Sequence, residues 1–238
     1  MQKFVVKVGS RVLSAEYPDA EDGAFLEGLV GERFMEEVSV TGESWGDLQD
    51  CVDRKEFKRA VELLKGMNRQ HPNNFPIVLT SGEVMQALNR FYVSAQIFQV
   101  AYRLAPHDVF KLQSLNRGLS SWLLLGDEFT RKEDLAYAAG AYINAMRALI
   151  KGDRLVHAVT PSEACVRESL HASLYCSLVE LGVEHDSQAI RRRVQDNLVN
   201  ARMAYELGLL VRKYYGCKED DKLAQRLAGL EARMIAHQ

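Results

Sequence analysis

Apolar residues recur at helical spacing along most of this chain, and the stripes they draw predict a succession of α-helices. Val78, Met85 and Leu88 form one stripe, and Ile97, Phe98, Ala101 and Leu104 form the next. Leu112, Leu115, Leu119 and Trp122 open a further helix that continues through Leu123, Leu124 and Leu125. Gly126 to Thr130 then reads as a longer connection, with Thr130 and Glu133 as a capping box for the helix that carries Ala138, Tyr142 and Ala145. Thr160-Pro161-Ser162-Glu163 is a strong helix start: threonine caps, proline suits the first helical position and glutamate closes the box. Val166, Leu170, Leu174, Leu178 and Leu181 trace one face of that helix until Gly182 stops it. Two more helices follow, one opened by Asp186 and carrying Ile190, Val194, Leu198, Ala201 and Tyr205, the other carrying Leu223, Leu227, Leu230 and Met234.

The helical stretch repeats itself. Laid over 75–108, residues 41–74 put Phe57 on Phe91, Ala60 on Ser94, Leu64 on Phe98 and Pro72 on Pro106, each pair 34 residues apart. Asn89, between the two stripes, tolerates the left-handed backbone of a tight helix–helix turn, and Asp53 to Phe57 occupy the same place one unit earlier. With Gly82 at a close-approach position, Ser94 where alanine is usual, and Phe98, Ala101 and Pro106 in their large, small and terminating roles, the chain resembles the tetratricopeptide-repeat family.

The resemblance implies an all-α fold: an α-solenoid of about three tetratricopeptide-like helix pairs, 41–74, 75–108 and an elongated 109–152. Residues 153–238 are then a C-terminal extension of capping helices, since a stack of repeats must cover its terminal apolar face. Residues 1–40 form an N-terminal arm or cap. There Phe4, Val6 and Val8 alternate, Gly9-Ser10 suits a two-residue turn and Val12-Leu13 resume, so a β-hairpin and an irregular tail both stay open. Asp19 to Glu37 reads as an acidic amphipathic helix.

In such a stack the first helix of each pair lines a concave wall. The inward positions of this register are Trp45, Gln49 and Val52, then Leu79, Glu83 and Gln86, then Phe110, Gln113 and Arg117. Aromatic and aliphatic anchors among a few polar groups suit a partner's peptide or helix, or the chain's own N-terminal segment packed against them. The family's clamp for C-terminal carboxylates uses lysine and asparagine; here Gln49, Thr80 and Ser114 stand at the matching places, so docking of chaperone tails is not expected.

Composition narrows the remaining classes. The 238 residues are 47% hydrophobic and carry a formal net charge of -2, which argues against a nucleic-acid binder. No apolar run is long enough to insert in a membrane, and no secretory signal opens the chain, so a cytoplasmic protein is expected. Cys51, Cys165, Cys176 and Cys217 are scattered, which reads as four buried free thiols rather than a disulfide framework or a metal site. Val5 to Ser10 resembles the opening strand and glycine turn of amino-acid kinases, but helical periodicity from Trp45 onward excludes their sheet. Phosphate-loop, nucleophile-elbow and zinc-helix motifs do not occur. Cys165 and His171 fall off a shared helical face, and Arg191-Arg192-Arg193 reads as a solvated patch. No catalytic residue, metal or cofactor is called. The sequence is read as a protein–protein interaction scaffold or adaptor rather than an enzyme, and its narrower form resembles the small three-repeat chaperones of bacterial secretion systems. The alternative is a structural subunit that self-assembles through its C-terminal helices into an oligomer or filament.

Overall fold

The computed structural model of the chain describes residues 2–8, 11–17, 43–155, 160–183, 188–215 and 221–236. At the N-terminus β1 (Gln2–Val8) pairs antiparallel with β2 (Arg11–Tyr17), from Gln2↔Tyr17 to Val8↔Arg11, the register that a two-residue connection gives. The acidic helix read at Asp19 to Glu37 lies outside the described residues. Nine helices follow among the described residues: α1 (Glu43–Asp53), α2 (Phe57–Gln70), α3 (Phe75–Ala87), α4 (Phe91–Leu104), α5 (Asp108–Arg131), α6 (Leu135–Asp153), α7 (Pro161–Val183), α8 (Gln188–Tyr215) and α9 (Asp221–Ala236). The chain divides into two compact units, residues 1–107 and 108–238, so α5 and α6 belong with the C-terminal helices.

One turn geometry joins α1 to α2, α3 to α4 and α5 to α6. Lys55, Asn89 and Glu133 all take positive φ, near 60°. The Glu56 amide donates to the Cys51 carbonyl at 2.8 Å, Arg90 to Met85 at 2.9 Å and Asp134 to Phe129 at 2.9 Å. In each turn the left-handed residue itself donates three residues back, which completes a Schellman closure of the helix carbonyls. The second helix then starts at once, and Asp134 caps α6 by accepting from the Tyr137 amide at 3.5 Å.

The first unit packs on the residues that define the repeat. Gly82 and Phe98 are both buried, and a Cβ added to Gly82 would stand 2.6 Å from the Phe98 ring. Ser94, fully buried, donates its hydroxyl to the Gly82 carbonyl at 2.8 Å, which explains serine where alanine is usual: the pair is tied by a hydrogen bond as well as by packing. One repeat earlier the two positions hold Leu48 and Leu64, both buried, so two middle-sized side chains replace the glycine and the ring. Between α2 and α3, Asn73 takes φ 63° and Asn74 caps α3 by accepting from the Ile77 amide at 3.4 Å.

The second unit corrects one sequence expectation. Gly126 to Thr130 is not a connection, because α5 runs unbroken to Arg131, and Thr130 with Glu133 forms no capping box. Thr130 instead donates its hydroxyl to the Gly126 carbonyl within the helix, at 3.0 Å. Gly126 lies as close against the Tyr142 ring as Gly82 does against Phe98. The glycine, the left-handed turn residue and the aromatic are thus shifted by 44 residues between the second and third pairs, and the ten extra residues lengthen the first helix. α5 has 24 residues where α3 has 13.

The C-terminal helices share a core of Ala172, Cys176 and Val179 from α7, Val194, Ala201 and Ala204 from α8, and Leu223, Leu227 and Leu230 from α9. The Thr160 hydroxyl caps α7 by accepting from the Glu163 amide at 3.3 Å, as the sequence predicts. Arg167 is almost wholly buried where α6 ends: its guanidinium donates to the Leu149 carbonyl at 2.6 Å, to the Asn116 amide oxygen at 3.3 Å and to Asp153. Asn116 in turn donates to Glu163 at 2.7 Å, so α5, α6 and α7 meet in one polar knot. The expectation of free buried thiols holds for Cys51 and Cys176. Cys165 departs from it, being disulfide-bonded; a disulfide requires Cβ atoms about 4 Å apart, which wide sequence spacing does not forbid. Among the described residues no helix is long and apolar enough to cross a membrane.

Two stability changes follow from this packing. Phe98→Ala is expected to cost about 3–5 kcal/mol in urea melts, the range for emptying a buried aromatic site. Gly82→Ala is expected to cost about 1–3 kcal/mol, because the new methyl would stand 2.6 Å from the buried Phe98 ring and force it to shift. A loss under about 1 kcal/mol for Phe98→Ala would contradict the register.

Candidate functional site

Six of the nine wall positions lie in the first unit, and all six stay out of its buried core. On α1, Trp45 and Val52 pack half-buried on the edge of the Leu48–Leu64 cluster. Gln49 between them is exposed and donates to Asp53 at 3.1 Å. On α3 the core takes Val78, Ser81, Gly82 and Met85, which leaves Leu79, Glu83 and Gln86 half-buried at steps of four and three residues. Leu79 leans on the neighbouring cluster around Phe75, Val78 and Ile97. At the border between core and surface α1 therefore offers Trp45 and Val52 beside Gln49, and α3 offers Leu79 beside Glu83 and Gln86.

The other three positions belong to the second unit and stand differently. Phe110 is exposed, and Gln113 and Arg117 are half-buried, all on the extra turns at the start of α5. A 34-residue step makes Gln113 and Arg117 the equivalents of Leu79 and Glu83, whereas the 44-residue step of the Gly126–Tyr142 contact makes Leu123, Asp127 and Thr130 the equivalents of Leu79, Glu83 and Gln86. That correction brings an unforeseen cluster into view.

The Tyr142 hydroxyl, from α6, donates to Asp127 at 2.8 Å and lies 3.1 Å from the Thr130 hydroxyl. From α7 the Ser177 hydroxyl donates to the same Asp127 oxygen at 2.9 Å. Arg226 of α9 donates to Ser177 at 2.8 Å and grips Glu180 through two nitrogens, at 3.0 and 2.6 Å. Its guanidinium also lies 3.8 Å from Asp127. Four helices thus converge on one carboxylate.

The electrostatics of the cluster favour fixed charge states. Burial pushes the Tyr142 hydroxyl above its usual range; the Thr130 hydrogen bond opposes this and the Asp127 carboxylate reinforces it. Burial works against the Arg226 charge, but the hydrogen bond and charge of Glu180, with Asp127 beyond, outweigh it and hold the guanidinium above its usual range. Burial pushes the Cys176 thiol up to about 11, although the nearby Arg226 draws it down. Near neutral pH the cluster therefore holds a neutral phenol, a neutral thiol and a charged guanidinium, the states of a structural tie rather than of an activated nucleophile. At the third pair the wall position that Glu83 occupies on α3 is taken up by the chain's own α7 and α9. Sequence reasoning missed the cluster, although Gly126 and Tyr142 repeat the sixteen-residue spacing of Gly82 and Phe98.

Asp127→Ala leaves the Tyr142 and Ser177 hydroxyls without their acceptor and is expected to cost about 1–3 kcal/mol. Tyr142→Phe removes one donor and is expected to cost about 0.5–1.5 kcal/mol. In denaturant melts the double variant should lose less than the sum of the two, because both changes break the same bond.

No protein-family model, no curated protein and no solved structure matches this chain.

Proposed function

We propose that this chain is a protein-interaction scaffold of the tetratricopeptide-like type, which holds a partner's peptide or helix against the first helices of its repeated pairs. The observation that carries the reading is the recurrence of one pair geometry: the left-handed turn at Lys55, Asn89 and Glu133, and the glycine–aromatic contact at Gly82–Phe98 and Gly126–Tyr142. Repetition of that kind presents the same helix face again and again, which suits an extended partner.

Within that reading the working surface is the wall of the first unit. Trp45, Val52 and Leu79 supply apolar contacts, Trp45 being of the type that most often dominates binding energy, and Gln49, Glu83 and Gln86 supply polar contacts beside them. Phe110, Gln113 and Arg117, displaced by the longer α5, drop out of this surface. Asp127 is already engaged by Tyr142 and Ser177, which leaves the third pair supporting the stack rather than gripping a partner.

The test is a variant that alters the wall and spares the core. Partners are captured on the immobilised full chain and identified by mass spectrometry, and the segment bound is then titrated. Leu79→Glu with Glu83→Arg should weaken that titration at least tenfold, about 1.4 kcal/mol, with a melting temperature within a few degrees of the parent. Unchanged affinity in the folded variant would contradict the assignment of this wall.

A further inference from the structure

The outer face of α8 carries Val199, Met203, Leu207 and Leu210, each between 49% and 66% exposed. They follow one another at steps of four, four and three residues, so they share one side of the helix. The opposite side, Val194, Ala201 and Ala204, is buried in the core of the second unit. α8 is therefore apolar on two opposite faces, and the described chain covers one of them.

We infer that this face pairs with the same face of a second copy of the chain, the two α8 helices running antiparallel about a two-fold axis near Ala204 and Tyr205. A two-fold interface has to be complementary to itself, and the charges along α8 meet that condition in one direction only. About that axis Val199 comes level with the second copy's Leu210, and Met203 comes level with its Leu207 to within one residue, about 1.5 Å along the helix. Arg202 likewise comes level with the second copy's Glu206. These two side chains already pair within one helix, at 3.2 Å, Arg202 also lies 3.6 Å from Glu231 of α9, and both remain more than half exposed beside the stripe. At the ends Asp196, exposed, comes level with Lys213, also exposed. A parallel arrangement would instead set Arg202 beside Arg202 and Asp196 beside Asp196, stacking like charges. The contact spans about three turns and lies at the low end of specific interfaces, below roughly 1,200 Å². The dimer is accordingly concentration-dependent.

Sedimentation velocity of the full chain over a concentration series tests this pairing. The parent should move from monomer to dimer mass as concentration rises. Met203→Glu with Leu210→Glu should stay monomeric throughout, and it should melt near the parent temperature because both sites are exposed. Arg202→Glu alone and Glu206→Arg alone should each weaken association about tenfold, because each sets like charges together on both sides of the axis. Arg202→Glu and Glu206→Arg combined in one chain should restore the dimer. A parent that is monomeric at every concentration would overturn the inference. So would a dimer that survives Met203→Glu with Leu210→Glu, or a double charge exchange that fails to restore association.

Discussion

An aromatic ring seated where the neighbouring helix has no side chain sets the distance between the helices of a pair, and much of the molecule depends on it. Phe98 over Gly82 and Tyr142 over Gly126 are the two instances. Glycine in mid-helix is unfavourable by itself, by about 1 kcal/mol relative to alanine. It persists here because the ring fills the space that a Cβ would occupy and buries a large apolar area. The polar groups nearby follow that close approach: Ser94 reaches the Gly82 carbonyl across the interface, and Tyr142 carries its hydroxyl through to Asp127. Where the contact is replaced, at Leu48 and Leu64, both partners change together.

How far the fold could be read in the sequence depended on whether this contact kept its period. Between the first two pairs every landmark recurs after 34 residues, so Gly82, Phe98 and the Asn89 turn all stand where the pattern puts them. In the third pair ten residues enter a helix without punctuation. Gly126 then resembles a break, though its task is to receive Tyr142, and Thr130 resembles a cap, though its hydroxyl is satisfied inside α5. The true turn falls on Glu133, a residue type that gives no warning of positive φ. Phe110, Gln113 and Arg117 follow from a 34-residue step, which this shift replaces by one of 44.

The polar ties of the second unit were illegible for a different reason. Asp127 meets Ser177 across 50 positions and Arg167 meets Asn116 across 51, separations that no local periodicity reports. These ties give the two units different characters. The first keeps Trp45, Val52, Leu79, Glu83 and Gln86 half-buried at the border of its core, whereas in the second Asp127 is bonded to the unit's own Tyr142 and Ser177. The buried Arg167 and the half-buried Asp127, Glu180 and Arg226 link α5, α6, α7 and α9 through hydrogen-bonded charges. The outside of α8 carries a continuous exposed apolar stripe, Val199, Met203, Leu207 and Leu210.

If all three pairs are variants of one contact, its small–large partition should be exchangeable between pairs. The most direct measurement transplants the Leu48–Leu64 solution into the second pair and follows urea unfolding of Gly82→Leu, Phe98→Leu and the double variant. The account predicts severe destabilisation by Gly82→Leu alone. It predicts recovery in the double variant, with a favourable coupling of at least about 1 kcal/mol between the sites. Strict additivity, with the double variant no more stable than the sum of its parts, would show that the glycine and the ring do not set the pair spacing.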